Sequence, residues 1–320
     1  MSQTLKRAFL MGLLTVFTSL ASASEIKVNA KDPIYPEGIA YSNAKGLFFL
    51  SSIRLGQIGS VTPSGSYELF DKADDLISVV GVHVDDARNR LIACVSDPGA
   101  SVKTSAETQK KIARLAVYDL DTKKRLETHD LHKLYKGEHF CNDVVVTPNG
   151  DIYVTDSFSP VIYKVSKGKA SLFFKNKKFD KAGEFNLNGI IYHPSGYFIV
   201  ARYNDGTLWK IPTKKSEKFE EVKLLNKEVG ADGLIYLNKE EIVVIQNLGN
   251  DKVVRLKSID GWKSAQVVKT SEKLANMPTT GVVTKESSVY VLESKLNILF
   301  DPSKEKTDTS YVIQNLEKFE

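Results

Sequence analysis

An internal repeat constrains this chain more than any other feature. Short starts of the form x-Gly-apolar recur at Glu37-Gly38-Ile39, Val80-Gly81-Val82, Asn188-Gly189-Ile190, Asp232-Gly233-Leu234 and Thr280-Gly281-Val282, with Asn142-Asp143-Val144 as the one variant. They are spaced by about 45 residues, apart from a longer interval between the second and third. The third copy shows what each repeat contains. Residues 143–147, 151–155, 161–165 and 170–174 are short β-branched or aromatic runs. They are separated by Pro148-Asn149-Gly150, by the polar corner 156–160 and by Ser166-Lys167-Gly168-Lys169. Proline fixes φ and Asn-Gly supplies the positive φ of a tight hairpin, so four antiparallel strands are predicted.

A four-stranded unit of this length cannot bury both faces alone, and six in register predict an all-β, six-bladed β-propeller. Lys6-Arg7, the apolar run 8–21 and Ala21-Ser22-Ala23 have the pattern of a secretory signal peptide over residues 1–23. This predicts an exported protein, periplasmic or secreted, with residues 24–320 as a single propeller domain. The apolar run is too short and too interrupted for stable membrane insertion. A net charge of +5 is too mild to imply nucleic acid, and Lys175 to Lys178 and Lys214-Lys215 fit solvated strand edges.

Several features leave alternatives open. Cys94 and Cys141 fall in neighbouring blades and are either a disulfide or two buried thiols. Residues 96–111 form a polar excursion that is either a lid over the channel mouth or a disordered loop. The ring is closed either by residues 25–30 or by residues 310–314. The sixth blade is expected to carry strands at 289–293 and 297–300. His129 and His132 are expected on the rim, His139 in a loop near the mouth, His83 packed between blades and His193 exposed. No G-x-S-x-G elbow, H-E-x-x-H helix, C-x-x-C pair or phosphate-cradling glycine loop is present.

The first strand of each propeller blade lines the central channel, so the residues that open the six repeats converge on the axis. In order they are Glu37, Val80, Asn142, Asn188, Asp232 and Thr280. Glu37, Asn142, Asn188 and Asp232 make an all-oxygen set with two formal negative charges. Such ligands suit calcium, or another divalent cation such as magnesium or manganese, before zinc. Without a cation, two carboxylates this close in a buried channel would repel, and one would take up a proton.

These residues carry a resemblance. Pro36-Glu37-Gly38, Asn142-Asp143, Asn188-Gly189 and Asp232-Gly233, in that order over the whole repeat region, resemble the metal-site pattern of the senescence-marker/gluconolactonase (regucalcin-like) family, with the paraoxonase lactonases more distant. The resemblance implies a six-bladed propeller that hydrolyses small-molecule lactones or related esters with one divalent ion at the top of the channel. It implies Glu37, Asn188 and Asp232 as metal ligands, Asn142 as a ligand to metal or substrate, and Asp232 as the catalytic base. The chain departs from the pattern at Val80, where paraoxonases place a histidine, and at Phe140-Cys141, where regucalcin-like members carry an arginine. Val80 and Phe140, with Asn142, are therefore expected to select a more apolar substrate. The alternative is a non-catalytic propeller that binds a ligand or protein around a structural calcium ion. A metal-free strictosidine-synthase-like propeller is a lesser option.

Overall fold

The computed structural model describes residues 25–181 and 183–316. The expected signal peptide lies outside the described residues. The third repeat folds into the strands Cys141–Val146, Ile152–Asp156, Val161–Ser166 and Lys169–Lys175, within two residues of the boundaries expected from the sequence. Its first hairpin closes through Thr147 N to Asp151 O at 2.9 Å, with Gly150 at φ +90°, a conformation that favours glycine.

Among the described residues, four sheets have four antiparallel strands. A fifth has eight. The larger sheet is two four-stranded meanders whose outer strands, Glu220–Leu224 and Ser264–Thr270, pair in parallel at Lys223 with Ser264 and Leu224 with Ala265. The innermost strands are Ile39–Ser42, Ser78–Asp85, Cys141–Val146, Leu187–His193, Ala231–Tyr236 and Pro278–Val283. Each packs on the next, and the last packs on the first, so the sheets stand around one axis as a β-propeller. The core lies between facing sheets, where Phe48, Tyr118, Tyr163, Phe198 and Trp262 are almost fully buried. Each such side chain contributes roughly 1.5–3 kcal/mol through apolar surface removed from water.

Glycine at the strand starts lets neighbouring inner strands approach closely. A Cβ on Gly81 would lie 2.3 Å from Asn142 O, and one on Gly189 would lie 2.3 Å from Asp232 O. Asp143 replaces the glycine in the third unit. It reaches across the same gap with its side chain, accepting a hydrogen bond from Ile190 N at 3.0 Å.

Both candidate closing segments are used. Glu25–Asn29 pairs with Ser310–Leu316, which pairs in turn with Val289–Glu293, so the two ends of the chain complete one sheet. The strand expected at 297–300 is instead a helical turn, Leu296–Leu299. Lys295 adopts a left-handed conformation, and Ser294 N and Lys295 N donate to Met277 O and Asn276 O. This bend diverts the chain, and Leu296 and Leu299, one turn apart, are both buried.

The polar excursion after Arg90–Ser96 is a tied strap rather than a loose lid. Asp97 is fully buried and accepts from Gly99 N, Thr104 Oγ1 and Thr108 Oγ1 at 2.6–2.8 Å. Lys103 Nζ donates to Gly56 O, Ala73 O and Leu76 O at 3.0–3.2 Å, fastening the strap to the first unit.

Candidate functional site

Five of the six inner strands break register where the start residue falls: between Val79 and Val82, Cys141 and Val144, Leu187 and Ile190, Ala231 and Leu234, and Pro278 and Gly281. A β-bulge re-aims a side chain that regular pairing would send between the sheets. Here Asn142, Asn188, Asp232 and Thr280 turn toward the axis while Val80 turns into the core, and Glu37 reaches the same waist from the strand that keeps its register. Glu37, Asn142, Asn188 and Asp232 all line both a narrow waist of the channel and the cavity above it. The four residues singled out from the repeat are thus brought together, each at most 7 % exposed.

A second tier holds this ring in place, formed by residues just after the second strand of a unit. Ser51 Oγ accepts from Gly38 N at 2.7 Å and from Glu37 N at 3.2 Å. Asn142 Nδ2 donates to Ser157 Oγ at 2.8 Å. Asn247 Nδ2 donates to Asp232 Oδ2 at 2.6 Å, while Asn247 Oδ1 accepts from Tyr203 OH at 2.5 Å. Reading the strand starts alone passed over these residues. The same repeat would have exposed them, because Ser51, Ser157, Tyr203 and Asn247 occupy equivalent places one hairpin later.

Buried carboxyls crowd the waist. Burial, reinforced by the charges of Asp232 and Asp143, pushes the Glu37 carboxyl well above the usual carboxylate range. Burial raises Asp232 to about 7, against the pull of hydrogen bonds from Asn247 and Asn188. Asp143, a third carboxyl not singled out as a site residue from the sequence, is raised by burial to about 6 although Ile190 N and Val144 N donate to it. Its signal was visible as the one acid at a glycine position.

The donor set fits a hard divalent cation. Glu37 Oε2 and Asn142 Oδ1 are buried without a hydrogen-bond partner among the described residues. Orphaned buried oxygens of this kind are costly unless something else satisfies them. Among the described residues no group of three His, Cys, Asp or Glu side chains is arranged to hold a metal ion. The ring instead combines two carboxylates with two carboxamides.

Above the waist opens a cavity of about 360 Å³. Its floor is the ring with Asn247. Its walls are Ile53, Phe140, Phe185, Tyr203, Met277, Leu296 and Phe300. Phe140 therefore faces the mouth, packed edge-on against Phe185 with centroids 5.5 Å apart. Val80 does not. It is fully buried in the apolar cluster that includes Cys94 and Cys141, and it lines neither cavity. Both cysteines are free and buried, so of the two possibilities the thiols stand.

The histidines divide differently from expectation. His139 is buried, its Nδ1 2.8 Å from Asp156 Oδ2, in a network with Tyr163 that anchors the backbone of Phe140 rather than opening on the mouth. His193 is buried and stacked on Tyr197 at 4.3 Å, because its Nε2 finds Lys239 O at 2.9 Å. His83 lines a separate cavity below the waist. His132 Nδ1 meets Ala113 O at 3.1 Å, and His129 pairs with Glu127 at 2.7 Å.

Among the described residues no helix is long and apolar enough to cross a membrane. No family model matches the chain, and no curated protein matches it. Solved structures do resemble it. The major allergen Mala s 1 of Malassezia sympodialis is 17 % identical, with 91 % of this chain and 95 % of that one covered at a TM-score of 0.71. A streptogramin B lyase is 14 % identical over 90 % and 96 %, at 0.62. A protein described provisionally as a gluconolactonase is 16 % identical over 92 % and 93 %, at 0.61. The chain shares with these structures the β-propeller fold.

Proposed function

We propose that the chain is an exported six-bladed propeller that hydrolyses lactones or related esters at its upper mouth. A divalent cation, calcium in the first place, would be held there by Glu37, Asn142, Asn188 and Asp232. The observation that carries this reading is the floor of the mouth, where Glu37 Oε2 and Asn142 Oδ1 are orphaned beside the buried carboxyl of Asp232. The similarity to a provisional gluconolactonase supports it. When bound, such an ion polarises an ester carbonyl and lowers the pKa of water.

The remaining work falls to the chain. Asp232, its Oδ2 fixed by Asn247, is placed to take the proton of the attacking water. As the water oxygen bonds to the carbonyl carbon and the ring C–O bond breaks, that proton passes to the leaving alkoxide. Phe140, Phe185 and Met277 hold the apolar part of the substrate and keep bulk water away. Among the described residues the wall carries no cationic side chain to hold a carboxylate or phosphate, so uncharged apolar lactones are the preferred class.

The test is turnover of alkyl- and aryl-substituted lactones by the native chain and by Asp232→Ala, in water enriched in oxygen-18. One labelled oxygen in the product acid, and turnover at least about a hundredfold lower in the variant, are expected. Equal turnover in both proteins would refute the assignment. An unlabelled product would point to elimination, in line with the lyase among the similar structures.

A further inference from the structure

The channel below the waist has a different chemistry from the mouth above it. The second residue after each start position is apolar in all six units: Ile39, Val82, Val144, Ile190, Leu234 and Val282. All six line one open funnel of about 660 Å³. Two residues further along each strand the wall widens to a rim that carries Tyr41, Tyr192 and Tyr236, with Val84 and Val146 between them, all partly exposed. Three residues of strand make the wall about 10 Å deep. The waist that closes its inner end is only about 10 Å³ in volume, so the funnel and the mouth are separate chambers.

The rim charges are already engaged within the protein. Asp85 pairs with Arg90 at 2.7 Å and with Arg88 at 3.3 Å, and Arg88 also donates to Pro148 O at 2.7 Å. Asp86 accepts from Ser42 Oγ and Asn43 N at 2.5 and 2.8 Å. The carboxyl of Asp143 stands at the inner end. An anionic ligand would find no spare cation there and would meet that carboxyl. A polypeptide would bring backbone N–H and C=O groups against a wall with few partners for them. Concave cavities of this size, lined mainly by apolar side chains with a small number of placed polar groups, are the usual form of small-molecule sites.

We propose that the lower funnel is a second small-molecule site, distinct from the ester-cleaving mouth. It takes one uncharged, largely hydrocarbon molecule whose hydroxyl or carbonyl group meets the tyrosine rim. The assignment stands on a different cavity from the proposed activity and does not depend on it.

The test uses the neutral dye N-phenyl-1-naphthylamine, titrated by fluorescence into the purified full chain. Saturable binding of one dye per chain in the funnel is expected. Val84→Trp, which fills the rim, and Tyr236→Asp, which makes it anionic, should each weaken it at least about tenfold. Phe300→Asp at the upper mouth should not. Circular dichroism identifies any variant that fails to fold, and either rim variant suffices. Dodecanol should displace the dye, and laurate should need at least about tenfold more. A second dye lost only in Phe300→Asp would support two separate chambers. The inference is overturned if the native chain shows no saturable binding, or if binding survives both folded rim variants. It is equally overturned if laurate competes as well as dodecanol, or if sedimentation shows a dimer that binds one dye per pair, which would make the funnel an interface between copies.

Discussion

Asn247 Nδ2 donates to Asp232 Oδ2 at 2.6 Å, and the same amide accepts from Tyr203 OH through its Oδ1 at 2.5 Å. Both acceptors are therefore committed, and the Asp232 carboxyl is held in one orientation at the floor of the mouth. Asp232 also accepts from Asn188, so two buried amides fix the carboxyl, and fixed orientation is what pre-organised catalytic groups require.

Asn247→Leu removes that clamp while nearly preserving side-chain volume. Because Asp232 and Tyr203 lose a buried partner, the fold should lose roughly 1–3 kcal/mol. The affinity for calcium, read by titration calorimetry, should fall with it, and Asn247→Asp should not restore it, since a second carboxylate would face Asp232. Unchanged calcium affinity in Asn247→Leu would show that the clamp does not hold the site.

Gly189→Ala places a methyl 2.3 Å from Asp232 O and 2.9 Å from Leu234 N, both backbone atoms that cannot swing away. Thermal unfolding should show a loss of about 3 kcal/mol, the upper range for overpacking. The same change at Gly46, where nothing lies within 4 Å but φ is +65°, should cost only about 1 kcal/mol of backbone strain. Equal effects at both positions would mean that close approach around the axis is not what the start glycines provide.

Lys103→Met cuts three hydrogen bonds from its ammonium to the carbonyls of Gly56, Ala73 and Leu76. The partly exposed site limits the expected loss to roughly 1–2 kcal/mol. Hydrogen exchange should rise in residues 98–111 and not in the inner strands. Exchange that is already fast there in the native chain would contradict a tied strap.

His83 supplies a pH dependence. Burial lowers its pKa to about 4, with Asp85 pulling it up and Arg90 pushing it down, against about 6.5 for an unfolded histidine. A base whose folded pKa is depressed favours the folded state above its unfolded pKa. That contribution is lost as the unfolded chain gains a proton the folded chain refuses, between about pH 6.5 and 4. His83→Gln should flatten the melting temperature over that window. A His83 imidazole resonance titrating near pH 6.5 in the native chain would contradict the assignment.

The sequence showed the propeller through its turn chemistry and its spacing, because each unit repeats the same local rules. It also placed Glu37, Asn142, Asn188 and Asp232 together, since equivalent positions in a cyclic fold must meet at the axis. What it missed depends on non-local geometry. Val80 occupies the same place in the repeat yet sits in the apolar core with Cys94 and Cys141. Register alone does not say which way an apolar side chain turns at a bulge. The turn Leu296–Leu299 looks like a strand until the left-handed Lys295 and its bonds to the preceding segment are seen. Both closing segments are candidates in the sequence, but no local pattern says that they pair with each other, as Val28 does with Tyr311 almost the whole chain away. His193 precedes Pro194 in a hairpin, a place that predicts exposure, but its partner, Lys239 O, comes from the next unit.

On the proposed reading, the buried oxygens at the upper mouth hold a divalent cation needed for ester hydrolysis. The most direct measurement is turnover of a panel of sugar, aliphatic and aromatic lactones by the purified chain, with calcium and with chelator. Turnover of the apolar lactones, abolished by chelator and restored by calcium, is expected. Binding at a hundred times the dissociation constant should also stabilise the fold by about 2.7 kcal/mol. Turnover indifferent to chelator would contradict the metal. Calcium binding with no turnover on any lactone would contradict the enzyme and leave a propeller that binds through its mouth around a structural ion.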